Sequence, residues 1–129
     1  MQYRKGYYLE HRLVQLLRRY GFWCTRLPKS GSAQVPLDVL ALRPGIVLGF
    51  ECKRRKAVLY SKELQPEKLL SWQEATGGKA FLCVYFDEEK KLRFYPADQL
   101  KQKEKITAKD TDYLSFQQLL QLLFSDSLL

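Results

Sequence analysis

The chain has 129 residues, of which 46% are apolar, so it is long enough and apolar enough to fold as one globular domain rather than remain disordered. It carries 22 Lys and Arg against 14 Asp and Glu, a net charge of +8 that favours a polyanionic partner, although charge serving only solubility is an alternative. No run approaches the roughly 20 apolar residues of a membrane span, and no helix pairs a basic face with an uninterrupted apolar face, so a membrane partner is not expected.

The first predicted element is an amphipathic helix over residues 7–20. Its apolar residues recur at helical spacing, and Gly21 is a natural stop. Glu10 falls within the apolar stripe of this helix, so its carboxylate is predicted to face the body of the domain. His11 points away from that stripe and from Glu10, which makes it a surface or DNA-facing residue rather than a metal ligand.

Three strands are predicted next, over residues 22–27, 37–42 and 46–53. The segment between the first two is polar and fenced by Pro28 and Pro36, which predicts a mobile loop. The last two strands are joined by Pro44-Gly45, a turn dipeptide, and therefore form a hairpin.

The second half of the chain predicts a helix, a hairpin and two further helices. A helix is predicted over 61–76, with Ser61 as a candidate N-cap. Pro66 lies further inside this helix than is ideal for a proline, so the alternative is a start nearer Gln65. The remaining elements are strands at 79–86 and 92–95, a short helix at 96–100, a loop at 101–112 and an apolar helix at 115–124. The order helix, three strands, helix, two strands, helix predicts one α/β domain with a central mixed five-stranded sheet flanked by helices.

The three cysteines, Cys24, Cys52 and Cys83, all lie in predicted strands without a Cys-x-x-Cys motif. Buried free thiols are therefore favoured over a zinc site or a disulfide. An odd and widely spaced set fits a reducing compartment, and no apolar run of a signal peptide follows Met1. The sequence predicts a cytoplasmic protein, or one of the host cytoplasm if the chain is viral.

The hairpin carries the residues with the clearest chemistry. Asp38 enters its first strand, and Glu51-Cys52-Lys53 leaves its second, so the turn brings these side chains to one end. Two carboxylates and an ammonium placed together can hold a divalent cation and steady a nucleophilic water against a phosphate. In a chain of this charge, the combination indicates a nuclease.

Each of these residues also has a simpler explanation. Asp38 could cap a strand end, Glu51 and Lys53 could form a surface ion pair on an edge strand, and Glu10 could be a buried partner of Arg26. Because these residues come together on one side of a hairpin, with Glu10 inside an apolar stripe, we favour the nuclease interpretation.

The metal chemistry can be assigned to particular atoms. Asp38 and Glu51 supply hard anionic oxygens suited to Mg²⁺, for which Mn²⁺ is expected to substitute. The backbone carbonyl of Cys52 can complete the coordination shell, and Glu10 can hold a second metal or orient a water. Lys53 is expected to stay charged among carboxylates and to support the phosphate electrostatically.

This pattern resembles the restriction-endonuclease-like superfamily, whose signature is an acidic residue, a spacer and Asp/Glu-x-Lys. Pro36-Leu37-Asp38 stands where Pro-Asp is usual. Arg4-Lys5-Gly6, Glu10 in an amphipathic helix, Arg26 in the first strand and the helix ending at Gly77-Gly78 are similar, more specifically, to the archaeal-type Holliday junction resolvases. The resemblance covers roughly residues 4–100. It implies one nuclease domain over residues 1–129, with its catalytic core at about 4–100 and a C-terminal helix at 115–124.

The resemblance implies a homodimer that binds four-way DNA junctions by shape and makes paired, symmetric, Mg²⁺-dependent nicks in homologous recombination and repair. Glu10, Asp38, Glu51 and Lys53 would form its active site, Arg26 would contact DNA nearby, and Ser30 or Ser32 would lie in a loop that closes on the junction. The other basic residues nearest the site in sequence are candidates for phosphate contact or for a solvated rim: Arg4, Lys5, Lys29, Arg54, Arg55 and Lys56.

Two residues depart from the family pattern, and either could alter DNA binding or dimer packing. His11 stands where many relatives have Arg, and Thr76 stands where some have a second aromatic residue beside Trp72. The dimer surface is predicted at Trp72 or at the last helix, unless both simply pack on the sheet. The alternatives for function are another nuclease of this fold, acting on flaps, ends or duplex, and a DNA-binding module without catalysis.

Overall fold

The computed structural model describes residues 2–28 and 37–127, with side chains for residues 7–28 and 37–125. Within these ranges the α-helices are α1 (Gln2–Arg19), α2 (Ser61–Leu64), α3 (Pro66–Thr76) and α4 (Phe116–Ser127). The strands of the same ranges are β1 (Trp23–Arg26), β2 (Val39–Arg43), β3 (Ile46–Arg55), β4 (Val58–Tyr60), β5 (Lys79–Phe86), β6 (Leu92–Pro96) and β7 (Lys105–Thr107). A 3-10 helix spans Ala97–Gln102.

The central sheet has five strands in the order β1-β2-β3-β5-β6. Strands β3 and β5 are parallel, and the other neighbours are antiparallel. The predicted mixed five-stranded sheet is therefore confirmed, together with the Pro44-Gly45 hairpin, in which Gly45 has a φ of +77° that favours glycine. Strand β3 pairs with β2 through residues 46–50 and with β5 through residues 48–55, so the Glu51-x-Lys53 segment extends past β2 and pairs with β5 alone.

The two faces of the sheet bury different helices. On one face, Leu13 of α1 and Leu119 of α4 pack with Phe50 of β3 in one apolar cluster. On the other, Leu69 of α3 packs with Leu82 of β5. Side chains of successive strand residues point to opposite faces, so β5 contributes to both clusters, with Phe81 in the first and Leu82 in the second.

Helix α1 confirms the predicted direction of its side chains but begins earlier than predicted. Glu10 is 5% exposed, and His11 is exposed, as the apolar spacing indicated. The helix starts at Gln2 rather than Tyr7. The apolar spacing used to predict this helix begins at Leu9, so it carries no signal for residues 2–6.

The helix predicted over 61–76 is wrong in its continuity, because the structure has two helices there. Gln65 separates them in a left-handed conformation with a φ of +43°, and Pro66 begins α3. A proline lacks the N–H of the helical ladder and its ring clashes with the preceding turn, so it begins a helix more readily than it continues one. The predicted N-cap is also displaced, since Tyr60 precedes the first turn and its amide donates to Glu63 Oε2 at 3.2 Å.

The segment 101–112, predicted as loop, contains a strand. Strand β7 pairs with β4 in a separate two-stranded sheet, with Leu59 opposite Ile106. Both side chains are fully buried. Three-residue strands are too short to show a period of two, so an isolated isoleucine among charged residues was the only local signal.

Arg93 of β6 is a fully buried charge that ties the second sheet to the first. Its Nε and Nη2 donate to the two carboxylate oxygens of Glu89 at 2.7 and 2.8 Å. Its remaining donors reach the Tyr95 hydroxyl at 3.0 Å and the carbonyls of Thr107 and Ala108 at 3.1 and 2.7 Å. A guanidinium whose donors are used in this way tolerates burial, and it holds the end of β7 against β6.

The remaining predictions about elements are confirmed. The hairpin of β5 and β6 and the short helix after it are present, the latter as a 3-10 helix that extends to Gln102. The three cysteines are buried free thiols. No helix in residues 2–28 and 37–127 combines the length and apolar character that a membrane crossing requires.

Candidate active site

Asp38 lies immediately before β2 and is held against β3. Its amide donates at 2.7 Å to the carbonyl of Phe50, the residue that the register pairs with Val39, so Asp38 stays bound to β3 just before β2 begins. Its side chain is buried, and Oδ2 accepts a hydrogen bond from the Cys52 amide at 2.7 Å. The hairpin therefore brings this carboxylate to the middle residue of the Glu51-Cys52-Lys53 segment, where the sequence predicted it.

Glu51 and Lys53 lie on the same face of β3 and form an ion pair, with Nζ 3.3 Å from Oε1. Their side chains are 22% and 24% exposed, so the pair is partly shielded from water. Glu51 stands beside Leu82 of β5 in the register, on the face that α3 covers. An ammonium fixed beside a carboxylate supplies a positive charge next to the position of a bound anion.

Glu10 approaches the same hairpin from α1 and contacts Arg26 of β1. Arg26 Nε donates to Glu10 Oε1 at 3.0 Å, and the Arg26 guanidinium lies 4.3 Å from the centre of the Tyr7 ring. The structure thus contains the Glu10–Arg26 pair that was the alternative explanation of Glu10. The Arg26 side chain is 38% exposed and the Glu10 side chain 7%, so the pair faces solvent through its arginine.

The Cys52 thiol is influenced by both acidic residues. Its pKa is raised well above the usual value, first by a hydrogen bond with Cys83 and by burial, and further by the negative charges of Asp38 and Glu10. Arg26, which donates to Glu10, pairs with Val39 in the register of β1 and β2, so Glu10 lies at the end of the hairpin that carries Asp38. The fold therefore assembles Glu10, Asp38 and the Glu51-Cys52-Lys53 segment at one end of the sheet.

Two of the basic residues predicted to contact DNA are engaged within the protein. Arg54 Nε donates to Asp87 at 2.8 Å, and its guanidinium lies 5.1 Å from the Tyr85 ring centre. Arg55 Nη2 donates to Glu63 at 2.5 Å, and this bond lowers the pKa of the Glu63 carboxyl. Lys56, the third of the run, is exposed.

Several predicted DNA contacts lie outside the described part of the chain. These are Lys29, Ser30 and Ser32, together with the side chains of Arg4 and Lys5, whose backbone belongs to α1. The closing loop predicted between Arg26 and Asp38 falls largely in this undescribed segment.

The donors at the site fit a divalent cation of the hard type. In the described residues no three His, Cys, Asp or Glu side chains lie together in a metal-binding group. Mg²⁺ does not require three, because it usually takes one or two carboxylates and completes its shell with waters and substrate phosphate oxygens. Asp38 and Glu51 supply two carboxylates of this kind, beside the peptide group of Cys52.

The structure adds residues to the site that sequence reasoning missed. Glu51 lines a small cleft together with Glu63, Leu64, Gln65, Lys68 and Leu69. Gln65 is the left-handed residue between α2 and α3, and such strained positions in non-glycine residues often cluster at functional sites. Pro66 was the available signal of the break, but which strand the break faces depends on tertiary packing.

Comparison with known proteins adds to this geometry. Residues 1–127 match the model of a family described as archaeal Holliday junction resolvase (Hjc). A crossover junction endodeoxyribonuclease Hjc of Methanocaldococcus jannaschii is 42% identical over 89 residues, which are 68% of this chain and 64% of that protein. Its counterpart in Sulfurisphaera tokodaii is 36% identical over 105 residues, 78% of this chain and 71% of that protein.

Solved structures agree with the sequence relatives. The structure of Hjc from Archaeoglobus fulgidus, a Holliday junction resolvase, superposes with a TM-score of 0.66 at 25% identity, covering 80% of this chain and 88% of that one. The bacterial homing endonuclease I-Ssp6803I shares the fold, with a TM-score of 0.62 at 12% identity, over 95% of this chain and 93% of that one. With its restriction-endonuclease-like fold and a family match over almost its whole length, the chain belongs to the archaeal Holliday junction resolvase family.

Proposed function

We propose that this protein is a structure-selective endonuclease that resolves four-way DNA junctions by paired, symmetric nicks in homologous recombination and repair. The observation that carries the proposal is the buried carboxylate of Asp38, held by the Cys52 amide against the strand that presents Glu51 and Lys53. The family membership and the names of the relatives support the choice of substrate. We take residues 1–129 as one nuclease domain with its catalytic core at about 4–100.

The proposed catalyst uses a divalent cation, Mg²⁺ or in its place Mn²⁺, held by Asp38, Glu51 and the backbone carbonyl of Cys52. Neighbouring residues of a strand direct their peptide groups to alternate sides, so this carbonyl leaves β3 on the same side as the amide that reaches Asp38. When bound, such a cation neutralises phosphate charge and lowers the pKa of a coordinated water.

The protein's own groups would act around the scissile phosphate. Lys53 would donate hydrogen bonds to the phosphate oxygens, since its ammonium already lies beside Glu51. Glu10 would orient the attacking water or contribute to a second cation site, and Arg26 would move from Glu10 to a phosphate as DNA arrives. Charge-assisted bonds of this kind carry no base sequence information, which suits an enzyme that reads junction shape.

The DNA surface is proposed to surround this site. It would use the basic and hydroxyl side chains near the hairpin and the undescribed loop: Arg4, Lys5, Arg26, Lys29, Ser30, Ser32, Arg54, Arg55 and Lys56. Arg54 and Arg55 are already oriented by Asp87 and Glu63. A chromosomal DNA substrate would place the activity in the cytoplasm.

A gel assay with three substrates tests the proposal. A four-way junction, a flap and a linear duplex are each incubated with the protein, with and without Mg²⁺. We expect paired nicks confined to the junction and dependent on Mg²⁺, and binding that weakens steeply with added salt. Equal cutting of flap or duplex would replace the proposal by a general nuclease of this fold. Tight binding without cutting, in Mg²⁺ or Mn²⁺, would replace it by a DNA-binding module.

The protein is proposed to act as a homodimer through an apolar row that crosses β1, β2 and β3 of the sheet. Trp23, Leu42 and Val47 are successive partners in the register of β1, β2 and β3, so they lie side by side on one face. Trp23 is 61% exposed and Val47 37%. Trp72 of α3 extends this surface, since it packs over Gly49 and Gly78 beside Val47. A second copy related by a two-fold axis would bury the row twice and hold two sites at a fixed separation.

Introducing a charge into this row should separate the dimer. For Val47→Arg we expect a fall from dimer to monomer mass in analytical ultracentrifugation, because the guanidinium would be buried without a partner. Junction cutting should then release singly nicked intermediates. The matched variant is Leu122→Arg on α4, 41% exposed, which tests the other surface considered for the dimer. Dissociation by Leu122→Arg alone would move the interface to α4, and a monomeric wild-type protein would remove the dimer proposal.

A further inference from the structure

Helix α1 carries an exposed aromatic patch beside Glu10 that has no part in the catalytic proposal. Tyr7 is 42% exposed and Tyr8 is 60% exposed. Their ring centres are 5.6 Å apart with the planes at 79°, an edge-to-face contact. The His11 ring lies parallel to Tyr7, with 6.0 Å between centres. Together, Tyr7, Tyr8 and His11 form the α1 patch.

The α1 patch is joined to the candidate active site through a single side chain. Arg26 donates from Nε to Glu10 at 3.0 Å, and its guanidinium lies 4.3 Å from the Tyr7 ring centre. Tyr7 therefore stands one side chain away from Glu10, and Tyr8 stands against Tyr7. A DNA strand that reaches Glu10 would pass over or beside these rings.

The position and chemistry of the patch favour a nucleobase as its occupant. Large exposed aromatic rings beside cationic groups are the usual means by which proteins hold unpaired bases, because every base has a face on which a ring can stack. Arg26 supplies such a cation, since its guanidinium lies 4.3 Å from the centre of the Tyr7 ring. A regular duplex keeps its bases stacked inside, whereas the branch point of a junction interrupts stacking and lowers the cost of exposing a base.

We propose that Tyr8 stacks on a nucleobase that becomes unstacked at the branch point, with Tyr7 fixing the orientation of the Tyr8 ring through their edge contact. Tyr8 is the more exposed of the two tyrosines, and its ring is held by an edge contact with Tyr7. The inference rests on the proposed junction substrate and adds a residue that distinguishes a branch point from a duplex. Many relatives have an arginine at the position of His11. Base stacking by Tyr8 gives this surface of α1 a role in DNA binding that does not depend on that arginine.

The test measures binding and base environment without cleavage. Junctions and matched linear duplexes carry 2-aminopurine at the branch point or the equivalent position, and are titrated without added divalent metal. For Tyr8→Ala we expect junction affinity to fall about ten-fold, the scale of one lost stacking contact, with duplex affinity changed less than about two-fold. The 2-aminopurine signal change seen with wild-type protein should disappear. Tyr8→Phe, which keeps the ring, should match the wild type in both readouts.

The control is Tyr60→Ala, which removes a tyrosine of similar exposure, 54%, outside α1. It should leave both signals unchanged. The stacking proposal is overturned if Tyr8→Ala binds the junction with wild-type affinity and gives the wild-type fluorescence change. It is also overturned if Tyr8→Ala loses as much affinity for the duplex as for the junction. A change of dimer mass in Tyr8→Ala would assign the patch to a second copy of the chain instead. Because wild-type cleavage is scored separately, failure of the junction-cutting proposal remains distinguishable from failure of this one.

Discussion

Replacing Asp38 with alanine should abolish junction cleavage while leaving junction binding intact. The variant removes the one carboxylate that the hairpin buries and holds against β3, through the 2.7 Å bond from the Cys52 amide. In the proposed mechanism Asp38 holds the cation, and its loss removes stabilisation of the transition state, so we expect a fall of roughly a thousand-fold or more in the cleavage rate. Single-turnover cleavage and gel-shift titration of the same four-way junction measure the two quantities.

Two further variants make the result specific to the position. Asp38→Asn keeps an oxygen that can accept from the Cys52 amide but removes the charge, so it should fold normally and still fail to cut. Asp98→Asn removes an exposed carboxylate from the 3-10 helix and should cut at the wild-type rate. If Asp38→Ala cuts with wild-type efficiency, the assignment of the active site is wrong.

Arg93→Met should produce a large loss of stability, about 3–5 kcal/mol in the free energy of unfolding. The side chain is fully buried, and its removal leaves the Glu89 carboxylate, 12% exposed, without its main partner. The carbonyls of Thr107 and Ala108 lose their guanidinium donor as well. Urea unfolding followed by circular dichroism gives the difference.

Lys91→Met is the matched control, because Lys91 also reaches Glu89, at 4.0 Å, but is 63% exposed. Exposed ion pairs are worth at most about 1 kcal/mol, so its effect should be small. Combining Arg93→Met with Glu89→Leu should recover part of the stability, since no unpaired charge remains. Equal effects of Lys91→Met and Arg93→Met would contradict the buried ion pair.

The same pair gives stability a pH dependence of known sign. The hydrogen bond from Arg93 lowers the pKa of the Glu89 carboxyl below its ordinary value of 4.5. A carboxyl with a depressed pKa in the folded state stabilises the protein above its unfolded pKa, and this contribution is lost as the pH falls through the folded value. This part of the acid sensitivity should be absent in Arg93→Met.

The parts of the molecule that could be predicted are those with local signals. The β2–β3 hairpin follows from two apolar runs and the Pro44-Gly45 turn, and the inward direction of Glu10 follows from helical spacing. The two apolar runs and the turn between them also suffice to place Asp38 near the Glu51-x-Lys53 segment. The bond from the Cys52 amide to Asp38 is a consequence of that register.

The parts that could not be predicted depend on contacts between distant segments. Strands β4 and β7 are each three residues long and gain their order only by pairing with each other. The cleft around Glu51 depends on where the break at Gln65 docks, and the partners of Arg54 and Arg55 come from the β5–β6 turn and α2.

The amino-acid order alone specifies the central sheet, its β2–β3 hairpin and the family, because strand period, turn chemistry and motif spacing act over a few residues at a time. Packing of the folded chain sets which charges meet: Arg26 with Glu10, Arg93 with Glu89 and the end of β7, and the tyrosines of α1 with Arg26. The physical reason is that ion pairs and ring contacts join side chains that are distant in the sequence and that only packing brings close together. The periodicity of the sequence carries no information about such distances.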